Sequence, residues 1–400
     1  MNFTIKQVYE ITENTENGKK YYSANLPKKI ENLILINFSG KIPPLPNNIL
    51  SLKCSRINLT EIPKLSNLIE LNCSNNHIVS LPKLVLLQSL NCSNNKLIKL
   101  YDMPSITKLK CSDNNLLKLP EMKNLTYLNC SNNNLIKIPE MKKITYLNCS
   151  NNNIECLLNM PLLVELDCAT NKITHIHQYP LLTKLCCDEN HLSSLHEMNL
   201  LTQLECSDNN LIVLPYYPLL KKLNCSENNL RNLPELPLVT HLSCNDNNLR
   251  KLPEMPLLVE LGCVDNYLLE LPKMPLLVEL DCATNNLETL PEYPLLTKLF
   301  CDYNKLKTIP QMNHLINCYC SNNNIDHLPE MPLLTYLNCS DNNLVLLPEF
   351  PLLTYLICND NYISLLYEMP LLVELECANN NLTTLPKLEK LEKLNKQFCK

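Results

Sequence analysis

Eighteen cysteines stand 19 residues apart, from Cys54 to Cys377, and no copy slips out of step. They mark the frame L-x-x-L-x-C-x-x-N-x-L-x-x-L-P, seen in full at 274–296 as MPLLVELDCATNNLETLPEYPLL. A fixed period this short excludes one globular core and requires a stack of similar coils. With each ladder cysteine as position 0, positions 5 and 8 are Leu or Ile in all eighteen coils. Position 11 is apolar throughout and usually Met, position 14 is Leu, Ile or Val, and position 17 is Leu except at Cys318. Each coil therefore turns six side chains inward. Full burial of each contributes roughly 1.5–3 kcal/mol, while ordering costs on the order of 1.5 kcal/mol per residue. One coil alone loses that contest, so the copies need each other.

The alternation in V-E-L-D-C is that of a strand. Leu280 and Cys282 point in, and Glu279 and Asp281 point out. Four or five residues fit this strand, and the rest must return to the same point one layer on. Proline holds position 9 in thirteen coils and position 12 in eleven. Its fixed φ and missing N–H favour an extended, polyproline-type return over a helix. Position 3 is Asn in seventeen coils, with Ile57 the exception. An amide carries both donor and acceptor, so stacked asparagines can satisfy backbone groups where the chain leaves the strand. Residues 161–173 recur at 275–287, a shift of six coils that reads as block duplication.

The array spans 49–385, about eighteen coils. Residues 1–48 lie outside the register. FTIKQVYEI and KKYYSANL alternate as two strands with NTENGK as a turn, and LPKKIENLILINFSGKIPPLP reads as a degenerate first coil. An N-terminal cap is the preferred reading, and a separate small binding domain stays open. Residues 386–400 read as a last partial coil, with helix as one form open to it, and a basic cap.

Only three glycines occur, which argues against glycine-rich phosphate loops. The net charge of -5 argues against a general nucleic-acid binder and suggests no membrane affinity. The first twenty residues lack an apolar run of signal length. Cysteines repeated at one inward position read as small buried hydrophobes. Free thiols and a reducing, cytoplasmic compartment are expected.

L-x-x-L-x-C-x-x-N-x-L resembles the leucine-rich repeat, with cysteine in its third apolar site. The L-P-x-M-P return is similar to the short bacterial-type repeats of secreted effectors. The CSNNN and CSDNN stretches resemble leucine-rich repeat proteins of giant DNA viruses of amoebae. The resemblance implies a curved right-handed solenoid, with a parallel sheet on its concave face and extended returns on its convex face. It also implies protein binding. Some bacterial relatives carry a ubiquitin-ligase domain, for which no segment here is long enough.

No G-x-S-x-G, HExxH or CxxC pair occurs, and no catalytic residue, cofactor or metal ligand is assigned. His177 and His196 replace the position-9 proline in adjacent coils, and Cys156 and His175 share position 7. Drift of the repeat is the preferred reading, since no metal-ligand motif supports a metal site. Outward acid pairs such as Glu374 with Glu376, or Glu279 with Asp281, need no pKa shift on an open sheet and make poor acid–base pairs. The functional signal is on the outward strand positions of the later coils. Phe300, Tyr319, Tyr336, Tyr355 and Ile357 cluster there as candidate protein-binding residues, with Glu374 and Glu376 beyond them; Tyr127 and Tyr146 form a smaller pair. Cross-strand packing of the rings on one another is the plain alternative. The expected function is a non-enzymatic, monomeric protein binder, directed at a host protein if viral. A structural or particle-associated repeat protein stays open. So does an enzyme or metal protein, through residues 1–48 or the His177 and His196 row.

Overall fold

The computed structural model describes residues 8–16, 19–22, 31–36 and 45–395. These fall in two compact units, Met1–Leu192 and Ser193–Lys400. In the first, β1 (Val8–Glu16) pairs antiparallel with β2 (Lys19–Tyr22) and parallel with β3 (Asn32–Ile36), which pairs in turn with β4 (Ser51–Lys53). From β4 onward a three-residue strand recurs every coil to β11 (Lys184–Cys186), each parallel to the next. The second unit repeats the arrangement from β12 (Gln203–Glu205) to β22 (Lys393–Asn395). The chain is a parallel β-solenoid, without a helix among the described residues. Accordingly, none of these is in a helix long and apolar enough to cross a membrane.

Two expectations are corrected at the N-terminal end and within the strands. Strand β1 continues through Asn14–Glu16, where a turn was expected, because those residues pair with Lys19–Tyr21. The remaining parts of the expected 3–11 and 19–26 strands and of the 26–46 coil lie outside the described residues. The repeat strands are also shorter than the four or five residues expected. The cysteine N–H still reaches the next strand, as from Cys54 N to Asn72 O at 2.8 Å. Two residues later the backbone turns left-handed in every coil, with φ from 49° at Asp208 to 59° at Arg56. Twelve of these positions are Asn or Asp, the residues that tolerate this region best. Thr170, Glu189 and Tyr303 hold it too. Coil-to-coil bonds pin them there: Thr170 N donates to Asp188 O at 2.9 Å, and Tyr303 N to Ser321 O at 3.0 Å.

The C-terminal end also continues the array. The segment read as a last partial coil, for which helix was one open form, takes the strand form: Lys393–Asn395 pair in register with Glu374–Glu376. The spacing of Leu388, Leu391 and Leu394 continues positions 11, 14 and 17 of the coil, and the open edge of the preceding strand supplies the hydrogen bonds.

The interior is as the repeat demands. All eighteen ladder cysteines are buried free thiols. Burial pushes Cys54 and Cys244 up to about 12 and raises most of the others well above the ordinary thiol value. The asparagine ladder satisfies the bend. Asn133 Oδ1 accepts Leu116 N at 2.9 Å, and its Nδ2 donates to the carbonyls of Cys111 and Cys130 at 3.0 and 3.1 Å. Asn342 repeats the pattern with Ile325, Cys320 and Cys339 in the second unit. Each amide ties two coils and satisfies backbone groups at the corner. Three tyrosines take the position-11 methionine site. Their hydroxyls donate one coil back, Tyr179 to Leu158 O, Tyr217 to His196 O and Tyr293 to Pro272 O, each at 3.2 Å.

Candidate functional site

Because the inward positions repeat, chemical variety lies in the outward side chains, those of the strands among them. Register partners lie one strand spacing apart, about 4.8 Å, which is close to the spacing of stacked rings. In the second unit Phe300 faces Tyr319 across one ladder step, and Tyr336 faces Tyr355 across another. The two pairs join diagonally. Ring centroids are 4.7 Å apart for Phe300 and Tyr319, 4.6 Å for Tyr319 and Tyr336, and 5.9 Å for Tyr336 and Tyr355. Interplanar angles of 18°, 26° and 29° make one stack across four neighbouring strands. Tyr355 is exposed at 41%, and the other three rings are half-buried. Burial, then the adjacent Tyr319, then Glu374 and Glu376 push the Tyr336 phenol up to about 12, so it stays neutral in ordinary conditions. Ile357 is half-buried in the same patch, flanked across the ladder by Asn338 and Glu376.

Carboxylates bracket the stack. Asp281 is the register partner of Phe300, and Glu374 that of Tyr355. Glu374 holds Lys393 at 3.2 Å, and Glu279 holds Lys298 at 2.9 Å. Asp281 accepts a backbone bond from Ala283 N at 3.3 Å, and Glu376 accepts from Asn359 Nδ2 at 3.1 Å. Neither of these two carboxylates has a cationic partner among the described residues. The expectation of unshifted outward acids is corrected at Asp281. Its pKa is raised, chiefly by burial, opposed by the Ala283 bond and helped by Asp302 and Glu279.

Next to Asp281 the strand face dips into a depression of about 380 Å³ lined by Lys222, His241, Asn245, Glu260 and Gly262 among others. A Cβ on Gly262 would meet Asn245 Oδ1 at 3.1 Å, so glycine leaves room for that amide to lie across the strand.

The Tyr127 and Tyr146 pair in the first unit is closer and flatter, at 4.3 Å and 2°. It carries its own cations, with Lys108 Nζ 5.1 Å and Lys110 Nζ 5.7 Å from the Tyr127 centroid. Among the described residues no ammonium lies over a ring of the later stack. His175 and His177 meet edge to face at 5.4 Å, Cys156 is exposed one coil earlier, and His196 belongs to the other unit.

YopM from Yersinia enterocolitica is similar over 91% of this chain and 86% of its own, at 32% identity and a TM-score of 0.86. The chain belongs to the leucine-rich repeat family. The functional domain of InlJ from Listeria monocytogenes, a leucine-rich repeat structure that includes a cysteine ladder, is similar at 27% identity and a TM-score of 0.59, over 74% of this chain and 69% of that one. The Arabidopsis receptor kinase HAESA, solved with the peptide hormone IDA, shares the repeat fold at 21% identity and a TM-score of 0.63, over 88% and 79% of the two chains. No family model matches the sequence, and no curated protein does.

Reading the repeats by position picked out the aromatic residues but missed what finishes each cluster. Nothing in a row of lysines tells which way a flexible side chain lies, so Lys108 and Lys110 over Tyr127 were not foreseen. A row of exposed leucines at position 13, such as Leu257, Leu276 and Leu295, also went unread. It runs inside the P-L-L segment, whose other leucine is buried.

Proposed function

We propose that this leucine-rich repeat protein is a non-enzymatic binder that holds a segment of another protein on its strand face at Phe300, Tyr319, Tyr336, Tyr355 and Ile357. The observation that carries the reading is the unbroken ring stack, partly open to solvent and set on a rigid sheet. Rings on preformed strands lose little freedom on binding and bring large contact area, which is the make-up of a contact hot spot. Fold likeness supports the class: YopM is described as a leucine-rich effector protein, and HAESA was solved with a peptide hormone on board. On the likeness of its CSNNN and CSDNN stretches to giant-virus repeats, the chain works as a monomer in a host cytoplasm, on a host protein. Free ladder thiols suit that reducing compartment.

The test is substitution of Phe300, Tyr336 and Tyr355 by Ala in the full chain. Partner capture should disappear while the circular dichroism spectrum of the array persists. Capture at the original level would remove the aromatic patch from the function.

A further inference from the structure

The two aromatic clusters differ in one respect that points to a ligand. Over Tyr127 the open ring face is covered from within by Lys108 and Lys110. At the later stack the same places around the end rings are held by acids. Asp281 adjoins Phe300, and Glu374 with Glu376 adjoin Tyr355 and Ile357. From strand Glu279–Asp281 to strand Lys393–Asn395 the outward groups include the carboxylates Glu279, Asp281, Asp302, Glu374 and Glu376, against the ammonium groups Lys298 and Lys393. Both lysines are already engaged, with Glu279 and Glu374. The faces of aromatic rings attract cations, and the attraction grows when carboxylates stand beside them. Charge complementarity therefore selects a basic occupant.

Resting on the binding reading above, we propose that the Phe300–Tyr355 stack seats an extended, basic protein segment with two cationic side chains, one at Asp281 against Phe300 and one at Glu376 beside Tyr355. The spacing follows from the ladder. Asp281 and Glu376 are five strand steps apart, or roughly 24 Å at about 4.8 Å per step. An extended chain rising about 3.3 Å per residue covers that distance in about seven residues. The partner segment thus carries two Arg or Lys residues with about six residues between them, crossing the strands over the ring edges. Arginine fits better than lysine, because its planar group stacks on a ring and forks onto a carboxylate at once.

The probe is a fluorescein-labelled peptide with two arginines separated by about six neutral residues of Gly, Ser and Thr, titrated into the full chain by anisotropy. Binding should weaken about tenfold or more when either arginine becomes citrulline, the size expected for losing one charge-assisted contact. A similar loss is expected in Asp281→Asn and in Glu376→Gln. Moving the arginines to about two residues apart should weaken it as well, and indifference to spacing would overturn the two-ended seat. A displayed library of random peptides separates this inference from the reading beneath it. Enriched peptides that are basic and lose binding to Tyr336→Ala with Tyr355→Ala support both. Enriched peptides that are neutral or acidic and lose binding in that variant overturn the basic partner and keep the aromatic site. If no enriched peptide responds to the ring substitutions, both fall.

Discussion

Tyr127 and Tyr146 lie face to face beneath their own lysines. Phe300, Tyr319, Tyr336 and Tyr355 stack nearly as closely, with carboxylates at the ends and no ammonium above them among the described residues. Both clusters stand on the same frame of inward Leu, Cys and Asn, so their difference is due to the outward residues alone. The solenoid separates the two tasks: inward positions hold the coils together, and outward positions are free to vary without cost to the fold. At the first cluster the cation–π contact is made within the chain, for about 0.5–1 kcal/mol at such an exposed site. On the proposal above, the second cluster is completed by a cation of another molecule.

That comparison holds only if both clusters rest on the same dry interior, and raising the pH is the harshest way to break it. In the fold burial holds Cys54 and Cys244 up at about 12 and raises Cys92 well above the ordinary value of 9.0, near which unfolded thiols lose their protons. Above that value the unfolded state binds fewer protons, so stability falls as pH rises, by about 1.4 kcal/mol per thiol per pH unit. The fourteen ladder thiols with raised values, acting together, would exceed the ~5–15 kcal/mol that holds a typical domain. Reduced protein should therefore show a steady guanidinium midpoint below the thiol range and collapse one to two pH units above it. A midpoint that stays level through that range would deny the shared interior. A bulky water-soluble alkylating reagent gives the same answer at neutral pH: exposed Cys156 reacts at once, and the buried ladder waits for unfolding.

A smaller effect compares the frame under each cluster. Asn133 adjoins the Tyr127 coil and Asn342 the Tyr336 coil, with matching bonds to two cysteine carbonyls and one N–H. Replacing either by Ala orphans buried backbone groups and should cost about 1–3 kcal/mol. Chemical denaturation should give the same loss for Asn133→Ala and Asn342→Ala. A clear inequality would mean that the clusters differ below the surface as well as on it.

The inward half of this structure was legible because it repeats. Eighteen cysteines, seventeen asparagines and the Leu positions leave one register, and the solenoid follows from them. The left-handed turn at position 2 was hidden by Arg56, Thr170, Glu189, Glu227, Thr284 and Tyr303, which interrupt a run of Asn and Asp. Thr170, Glu227, Thr284 and Tyr303 are held by donating their N–H to a carbonyl of the next coil, and that is not written in their own identity. Among outward residues, Tyr336 and Tyr355 were readable as neighbours from shared position. Their diagonal union with Phe300 and Tyr319 was not, because it joins position 18 of one strand to position 16 of the next. Asp281 appeared to be an ordinary surface acid, since half-burial beside a glycine depends on the shape of adjoining coils.

The finest test turns the second cluster into the first. Lys108 precedes Tyr127 by one ladder step, and Asp281 stands in the same relation to Phe300. In Asp281→Lys the new ammonium would reach the outer face of the Phe300 ring as Lys108 reaches Tyr127. It would also remove a carboxylate whose ionised form burial disfavours. Both changes act in the same direction, and thermal or chemical denaturation should show a gain of about 0.5–1 kcal/mol, the usual worth of an exposed cation–π contact. The opposite substitution in the first cluster, Lys108→Asp with Lys110→Asn, should lose a similar amount. A stability gain accompanied by loss of the basic peptide would show that the chain's own cation and the partner's compete for one ring face. A variant that is less stable than the parent would mean that Asp281 is held by its surroundings more firmly than its single backbone bond and its acidic neighbours imply, and the contrast between the clusters would then be one of packing and not of charge.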